Sequence, residues 1–407
     1  MASCPASAGR PRFDIADIVR QHRAALEAAQ HLTPSQGRVL SAIALCRTAA
    51  LGGHIDVCRS CGLERACFHS CRNGGCPKCQ ALEQERWIAA RAERLLPVPH
   101  FHVVFTVPSE LRALARYRPR DIYGALFAAA SETLLELGRT HLDARLGVTM
   151  VLHTWTRDLL LHPHVHAIVT AGGAALDRSS WKPSSEKYLF DTKKVMGVLL
   201  RGKMMAALRA LHRAGTFDGF DEFDDPEGFD RLMRRLAAKG WVVHAEKPFG
   251  QVGHVLGYLG RYTHRIAIAN SRLVDVTDHS VTFRTRNGET CTVTPVEFLR
   301  RFVQHVLPDR FHKIRHYGLY SGTAARPGGA LDHARALLAA AHNSPSPPAA
   351  VKAAPKSWVE LLRELTGRDV TRCPRCGEQL ERLVVPTPLS RAPPLPLASL
   401  SHPGDLS

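Results

Sequence analysis

Residues 53–80 cannot fold by burying themselves. The stretch GHIDVCRSCGLERACFHSCRNGGCPKCQ is dense in cysteine, glycine and histidine and carries too little apolar surface to enclose a core, so something other than burial has to order it. Metal ligation is the available means. Cys58-x-x-Cys61 and Cys76-x-x-Cys79 are two knuckles whose thiolates can surround one Zn2+ tetrahedrally, with an intervening loop near the length of a zinc ribbon. Cys67, Cys71, His54 and His69 lie close by in sequence, and are further donors that could substitute for one of these ligands or hold a second ion. The role of such a site is structural, and a basic module of this kind is suited to DNA.

The start MASCPASAGRPRFD has no hydrophobic signal core, and no apolar run approaches the ~20 residues that a bilayer span needs. The expectation is a protein that stays in the reducing compartment that makes it, with no membrane partner. There, 11 cysteines are better explained as including metal ligands than as disulfides. A formal charge of +17 adds a second constraint. Composition can drift basic without any partner, but an excess this large most often marks a polyanion, here nucleic acid.

Outside the cysteine segment the chain alternates helix and strand patterns. Residues 13–50 predict two helices, with Thr33-Pro34 as cap and first-turn pair. HFHVVFTVP (100–108), LGVTMVLHTW (146–155) and LLLHPHVHAIVTAGG (159–173) alternate as strands, and 121–139, 191–213 and 227–239 as helices. The acidic loop DGFDEFDD is a solvated turn. WVVHAEK predicts a strand leading into a helix at 250–262. VTFRTR-NG-ETCTVT predicts a hairpin with a type I′ turn, and Thr294-Pro295-Val296-Glu297 opens the following helix with a capping box. From about residue 325 the chain turns Pro/Ala/Ser-rich, then gives a short helix around Trp358–Leu365 and the knuckle CPRCG.

Two further patterns carry chemistry. In His164-Val165-His166, residues i and i+2 of a strand point to one face, so both imidazoles can reach one divalent ion. His153 and His162 are additional nearby donors, and Pro163 belongs at the strand start or a bulge. In Tyr258-Leu-Gly-Arg-Tyr262 the i, i+4 spacing puts two phenols on one helix face. Such pairs usually pack. A phenol is nonetheless a competent nucleophile toward phosphorus, and its ester stores the phosphodiester energy, while a metal on the histidines would polarise the phosphate.

A zinc-binding segment, then a histidine–hydrophobe–histidine strand, then a two-tyrosine helix, in that order, resembles the rolling-circle transposases of the insertion sequence 91 family, which are HUH-type nucleases. The resemblance covers nearly the whole chain, through CRTAALGGHIDVC, SCRNGGCPKCQ, LLPVPHFHVVFTVP, HPHVHAIVTAGG, EKPFG, YLGRYTHRIAIANSRL, EFLRRFVQHVLP, IRHYG and the late CPRCG. It implies an α+β fold, an HUH-type antiparallel sheet flanked by helices with an N-terminal zinc-ribbon module. It divides the chain into a helical and zinc-binding module (1–95), a catalytic domain (96–325), and a Pro-rich linker, short helix, half knuckle and disordered tail (326–407).

The resemblance implies His164 and His166 as ligands of Mg2+ or Mn2+, Tyr258 and Tyr262 as the nucleophile pair, and Cys58, Cys61, Cys76 and Cys79 as ligands of structural Zn2+. A third ligand to the histidine-bound metal is needed, and Asp158, a few residues before His164, is the candidate. Arg261, His264 and Arg265, following the nucleophiles, are candidate phosphate contacts. The implied activity is nicking and rejoining of single-stranded or hairpin DNA at the ends of a mobile element through a 5′-phosphotyrosine, without a nucleotide cofactor, in the bacterial cytoplasm and in association with the nucleoid. A plasmid-type replication initiator and a non-catalytic zinc-finger relic are the alternatives. Two departures from the family pattern stand out. Asn73-Gly74-Gly75-Cys76-Pro77 replaces the usual N-R-H-C-P, so a histidine is missing. Cys373 and Cys376 form half a site, which either stays metal-free or borrows ligands the sequence does not identify.

Binding that rests on this charge should be dominated by phosphate contacts, so log affinity for DNA should fall linearly and steeply with log salt. A titration series in which affinity is unchanged between low and physiological salt would contradict the reading.

Overall fold

The computed structural model describes residues 12–79, 94–248, 267–341 and 357–385. The expected helix at 250–262, the linker at 343–356 and the tail after Val385 lie outside those residues. The protein is α+β, with antiparallel sheets flanked by helices. Its strands begin with β1 (Gly53–Val57), β2 (Glu64–Phe68), β3 (His100–Thr106), β4 (Ala144–Trp155), β5 (Leu161–Ala175) and β6 (Trp181–Pro183). They continue with β7 (Val243–Ala245), β8 (Leu273–Val276), β9 (Val281–Arg284), β10 (Thr290–Val293), β11 (Ile314–Gly318) and β12 (Glu381–Val385).

The described chain separates into two compact units, each gathered from stretches that are not consecutive in sequence. One unit gathers the described parts of Met1–Leu82, Ile268–Val306 and Lys356–Ser407; the other gathers those of Glu83–Ala267 and Leu307–Pro355. Long-range pairing is the reason. β12 adds to β1 to make the sheet β12-β1-β2, so the C-terminal segment belongs with the N-terminal one.

In the first unit, helix α1 (Ile15–Ala29) starts where Asp14 accepts from the Ala16 N–H, and α2 (Pro34–Leu45) carries a complete capping box between Thr33 and Gln36. Ile15, Ile18, Val19, Leu40 and Ile43 are fully buried, as are Phe298 and Phe302 of the helix Pro295–Val303, which packs against α1. The hairpin β9–β10 turns at Asn287 and Gly288, with φ of 54° and 83°, and Glu289 N–H donates to Arg286 O at 2.9 Å. Positive φ at both central residues is the type I′ turn that the Asn-Gly pair predicts. The capping box expected at 294–297 is only half made. Thr294 Oγ1 accepts from the Glu297 N–H, but the Glu297 carboxylate bonds Arg300 and Arg301 instead of returning to the cap.

The second unit is built on the sheet β11-β4-β5-β3-β7, with β6 against β5, every pair antiparallel. Strand periodicity sorts its side chains into two faces. Phe101, Val103 and Phe105 of β3, Leu146, Val148, Met150 and Leu152 of β4, and Leu161, Val165, Ala167 and Val169 of β5 form one apolar face. The helices Pro119–Leu142 and Lys193–Arg213 bury against it through residues such as Leu126, Phe127, Leu200 and Met204. Each fully buried side chain of this size contributes roughly 1.5–3 kcal/mol, so the layer fixes which way every strand faces. The other face therefore receives the alternate residues: His100 and His102 of β3, Thr149 and His153 of β4, His164 and His166 of β5, and His316 of β11. Pro163 sits where the β4–β5 register shifts between His153 and Trp155, the bulge that a proline near a strand start requires.

Candidate metal centres

On the polar face of the second unit's sheet, the hairpin β4–β5 places His153 directly across from His164, and Val151 across from His166. The ring centroids of His153 lie 5.3 Å from His164 and 4.2 Å from His166, and those of His164 and His166 are 5.0 Å apart. One nitrogen from each of the three approaches the others within 4.8 Å.

Hydrogen bonds fix how two of these rings present themselves. His164 Nδ1–H donates to the carbonyl of His162 at 2.6 Å, which leaves the lone pair on Nε2. A longer chain holds His166: Glu246 Oε2 is 3.2 Å from His102 Nδ1, and His102 Nε2 is 2.9 Å from His166 Nδ1. With the carboxylate as acceptor, His102 donates from Nδ1 and accepts at Nε2 from the His166 Nδ1–H, so His166 too keeps its lone pair on Nε2. Burial favours neutral rings. It pushes His164 down to about 4 and His166, with His164 and His102 beside it, down to about 2, and holds His153 well below the ordinary histidine value. Three neutral imidazoles converging on one point suit a divalent transition ion.

Asp158 is not part of this group. It lies in the turn between β4 and β5, where Leu159 N–H donates to Thr156 O at 3.1 Å, and the third converging donor is His153. Closeness in sequence favours the aspartate; cross-strand register brings the histidine. His102 and Glu246 carry no sequence signal as supports, although both fall in segments that alternate clearly. Tyr258, Tyr262, Arg261, His264 and Arg265 lie outside the described residues. Burial also lowers the Lys313 ammonium to about 8; its charge acts on His153, and its carbonyl accepts from Leu152 at 2.8 Å. Beside β11, Arg120, Arg310, Arg315, His312, His316 and Phe311 line a cavity of about 430 Å³, with Arg315 stacked 4.4 Å over Phe127.

The cysteines of the first unit do not assemble as the sequence suggests. Cys58 and Cys61 are not grouped with Cys76 and Cys79. The second knuckle instead joins Cys46 and Cys71, with Cys46 Sγ 3.4 Å and Cys71 Sγ 3.6 Å from Cys79 Sγ. Cys46 is the C-cap of α2, and Lys78, inside the knuckle, donates to the Cys46 carbonyl at 3.1 Å and to Asp14 at 2.8 Å. The quartet is thereby fastened to the ends of both helices. Cys58 and Cys61 face Cys373 and Cys376. His54 and Cys67 flank Asp56, a buried carboxylate already held by Arg65 at 2.7 Å and Arg382 at 3.5 Å.

Comparison with known proteins finds matches in both parts of the chain. The family described as "Transposase zinc-binding domain" matches residues 18–107, and that described as "Putative transposase" matches residues 147–327. A relative from Sinorhizobium fredii named "Putative transposase y4qJ" is 40% identical over 378 residues, covering 90% of this chain and 93% of the relative. The chain belongs to the insertion sequence 91 family of transposases. A transposase for insertion sequence element IS801, from Pseudomonas savastanoi pv. phaseolicola, is 27% identical over 343 residues, covering 82% of this chain and 80% of that one. DNA is thus the partner of this transposase, and its N-terminal domain is a zinc-binding one. No helix among the described residues is long and apolar enough to cross a membrane.

Calorimetric titration with Mn2+ checks the histidine donor set. His153→Ala should weaken binding as severely as His166→Ala, while Glu246→Ala, which only orients a ligand, should cost on the order of 10–100-fold. Asp158→Ala should leave the affinity unchanged; an equal loss there would restore the aspartate as a ligand.

Proposed function

We propose that this transposase nicks and rejoins single-stranded DNA at the ends of a mobile element, in rolling-circle fashion, with a divalent ion on His153, His164 and His166 and a phenol of Tyr258 or Tyr262 as nucleophile. The observation that carries the reading is the convergence of three neutral imidazoles on the polar face of an antiparallel sheet, in the segment that matches a transposase family. Nitrogen donors of this kind favour Mn2+ over Mg2+, which prefers oxygen ligands. A bound ion would polarise a phosphate oxygen and offset the charge that develops on it.

The remaining work falls to the chain. Glu246 and His102 hold the His166 ring, and the His162 carbonyl holds His164, so neither ring has to reorient when phosphate arrives. The phenol oxygen attacks phosphorus, the P–O3′ bond breaks, and the phenolic proton ends on the leaving 3′ oxygen. The product is a 5′-phosphotyrosine and a free 3′-OH. Because the ester keeps the phosphodiester energy, a later attack by a 3′-OH rejoins strands without ATP. Two phenols four residues apart in sequence would let successive transesterifications alternate between them. The cationic cavity at β11, the zinc-binding domain, and Arg261, His264 and Arg265 are suited to the phosphate backbone, which positions DNA without reading its sequence.

An assay on single-stranded oligonucleotides drawn from the element ends tests the reading. Nicking should require a divalent ion and disappear in His164→Ala/His166→Ala, with DNA binding retained. Tyr258→Phe and Tyr262→Phe should each impair complete transposition while at least one still nicks, and the double variant should form no covalent adduct on a denaturing gel. An adduct persisting in that double variant would place the nucleophile elsewhere.

A further inference from the structure

Two of the cysteine pairs share a local design that the third lacks. Cys58-Arg-Ser-Cys61-Gly62 and Cys373-Pro-Arg-Cys376-Gly377 both read Cys-x-x-Cys-Gly, whereas Gln80 follows Cys79. In each of the two, the N–H of the first cysteine donates to the carbonyl five residues on, Cys58 to Leu63 at 2.8 Å and Cys373 to Glu378 at 2.7 Å. The glycine N–H then returns to the first cysteine's carbonyl, at 2.9 Å in both loops. Gly62 and Gly377 have φ of 68° and 81°, a backbone that a Cβ would strain. The same loop is built twice.

The copies meet. Cys58 Sγ lies 3.4 Å from Cys376 Sγ, and Cys61 Sγ 3.6 Å from Cys373 Sγ. Sulfurs at the corners of a tetrahedron with Zn–S bonds of about 2.3 Å sit about 3.8 Å apart, close to these separations. The backbone brings them there: β12 pairs with β1 from Gly53 opposite Val385 to Val57 opposite Glu381, so each loop stands at the same end of the ladder. Arg59 bonds Glu381 across the joint at 2.6 Å. The apolar material beneath is slight, chiefly Leu63 and Leu380 around the buried Cys58 and Cys373, so burial alone does not account for the closure.

We propose that Cys58, Cys61, Cys373 and Cys376 hold a structural Zn2+ of their own, separate from the ion of Cys46, Cys71, Cys76 and Cys79. This ion seals a zinc ribbon whose two halves are far apart in the chain, Cys58 and Cys376 being 318 residues apart. Its ligands bracket the whole second unit in sequence, and removing the C-terminal segment takes away half of a metal site that begins in the N-terminal domain.

Native mass spectrometry of the full-length protein should find two zinc ions per chain. In that same protein, iodoacetamide should label Cys58, Cys61, Cys373 and Cys376 slowly, and all four should become reactive together when a chelator removes zinc. The Cys373→Ser/Cys376→Ser variant should carry one zinc and expose Cys58 and Cys61 to labelling while Cys76 and Cys79 stay protected. The labelling of the unaltered protein decides the matter even where the variant fails to fold. One zinc per chain, iron in place of the second zinc, a disulfide within the quartet, or ready labelling of Cys373 and Cys376 while Cys58 and Cys61 stay protected would each overturn the proposal.

Discussion

Across the β4–β5 hairpin, His153 stands opposite His164 and Val151 opposite His166, and the rest of the histidine cluster depends on that register. A slip of one residue would turn His164 and His166 toward the helix-covered layer and carry Val165 and Ala167 out of it. The apolar residues forbid the slip, since Leu146, Val148, Met150 and Leu152 of β4 and Val165, Ala167 and Val169 of β5 share the core face. β3 then pairs His102 with Ile168, and His166 with Val104, which sets His102 on the same face as His164 and His166 and within reach of the His166 ring. Glu246, just past β7, completes the chain of hydrogen bonds. A hydrophobic layer thus aims a polar site that it does not touch.

Much of this is legible in the sequence because it follows from local periodicity. Alternation in HFHVVFTVP, LGVTMVLHTW and HPHVHAIVTAGG marks β3, β4 and β5, and the two-residue repeat of a strand is enough to put His164 and His166 on one face. Asn287-Gly288 gives the turn, and Thr33 gives the cap, because each is decided within four residues. What the sequence leaves hidden requires pairing across distance. Proximity along the chain favours Asp158 as third ligand, while His153 is brought in by the ladder. Proximity likewise matches each cysteine knuckle to its neighbour, although the glycine after Cys61 and after Cys376 marks those two as alike. The grouping of 268–306 and 357–385 with the N-terminal segment likewise rests on contacts between distant parts of the chain.

The donor types divide the labour between the units. Thiolates gather in the first, where apolar surface is scarce around the knuckles and bound metal would supply folding free energy. Imidazoles gather in the second, on a sheet that a large apolar layer already holds together, so that sheet would not need an ion for its stability. The +17 charge supplies the long-range attraction for phosphate that suits a DNA partner.

The β4–β5 register gathers His153, His164 and His166 into a candidate metal site. Anomalous diffraction from crystals grown with Mn2+ tests it most directly. One manganese peak is expected, bonded to His153, His164 and His166, with Asp158 out of coordination range and His102 hydrogen-bonded behind His166. A manganese ion ligated by Asp158 in place of His153, or no manganese at the histidines at all, would contradict it.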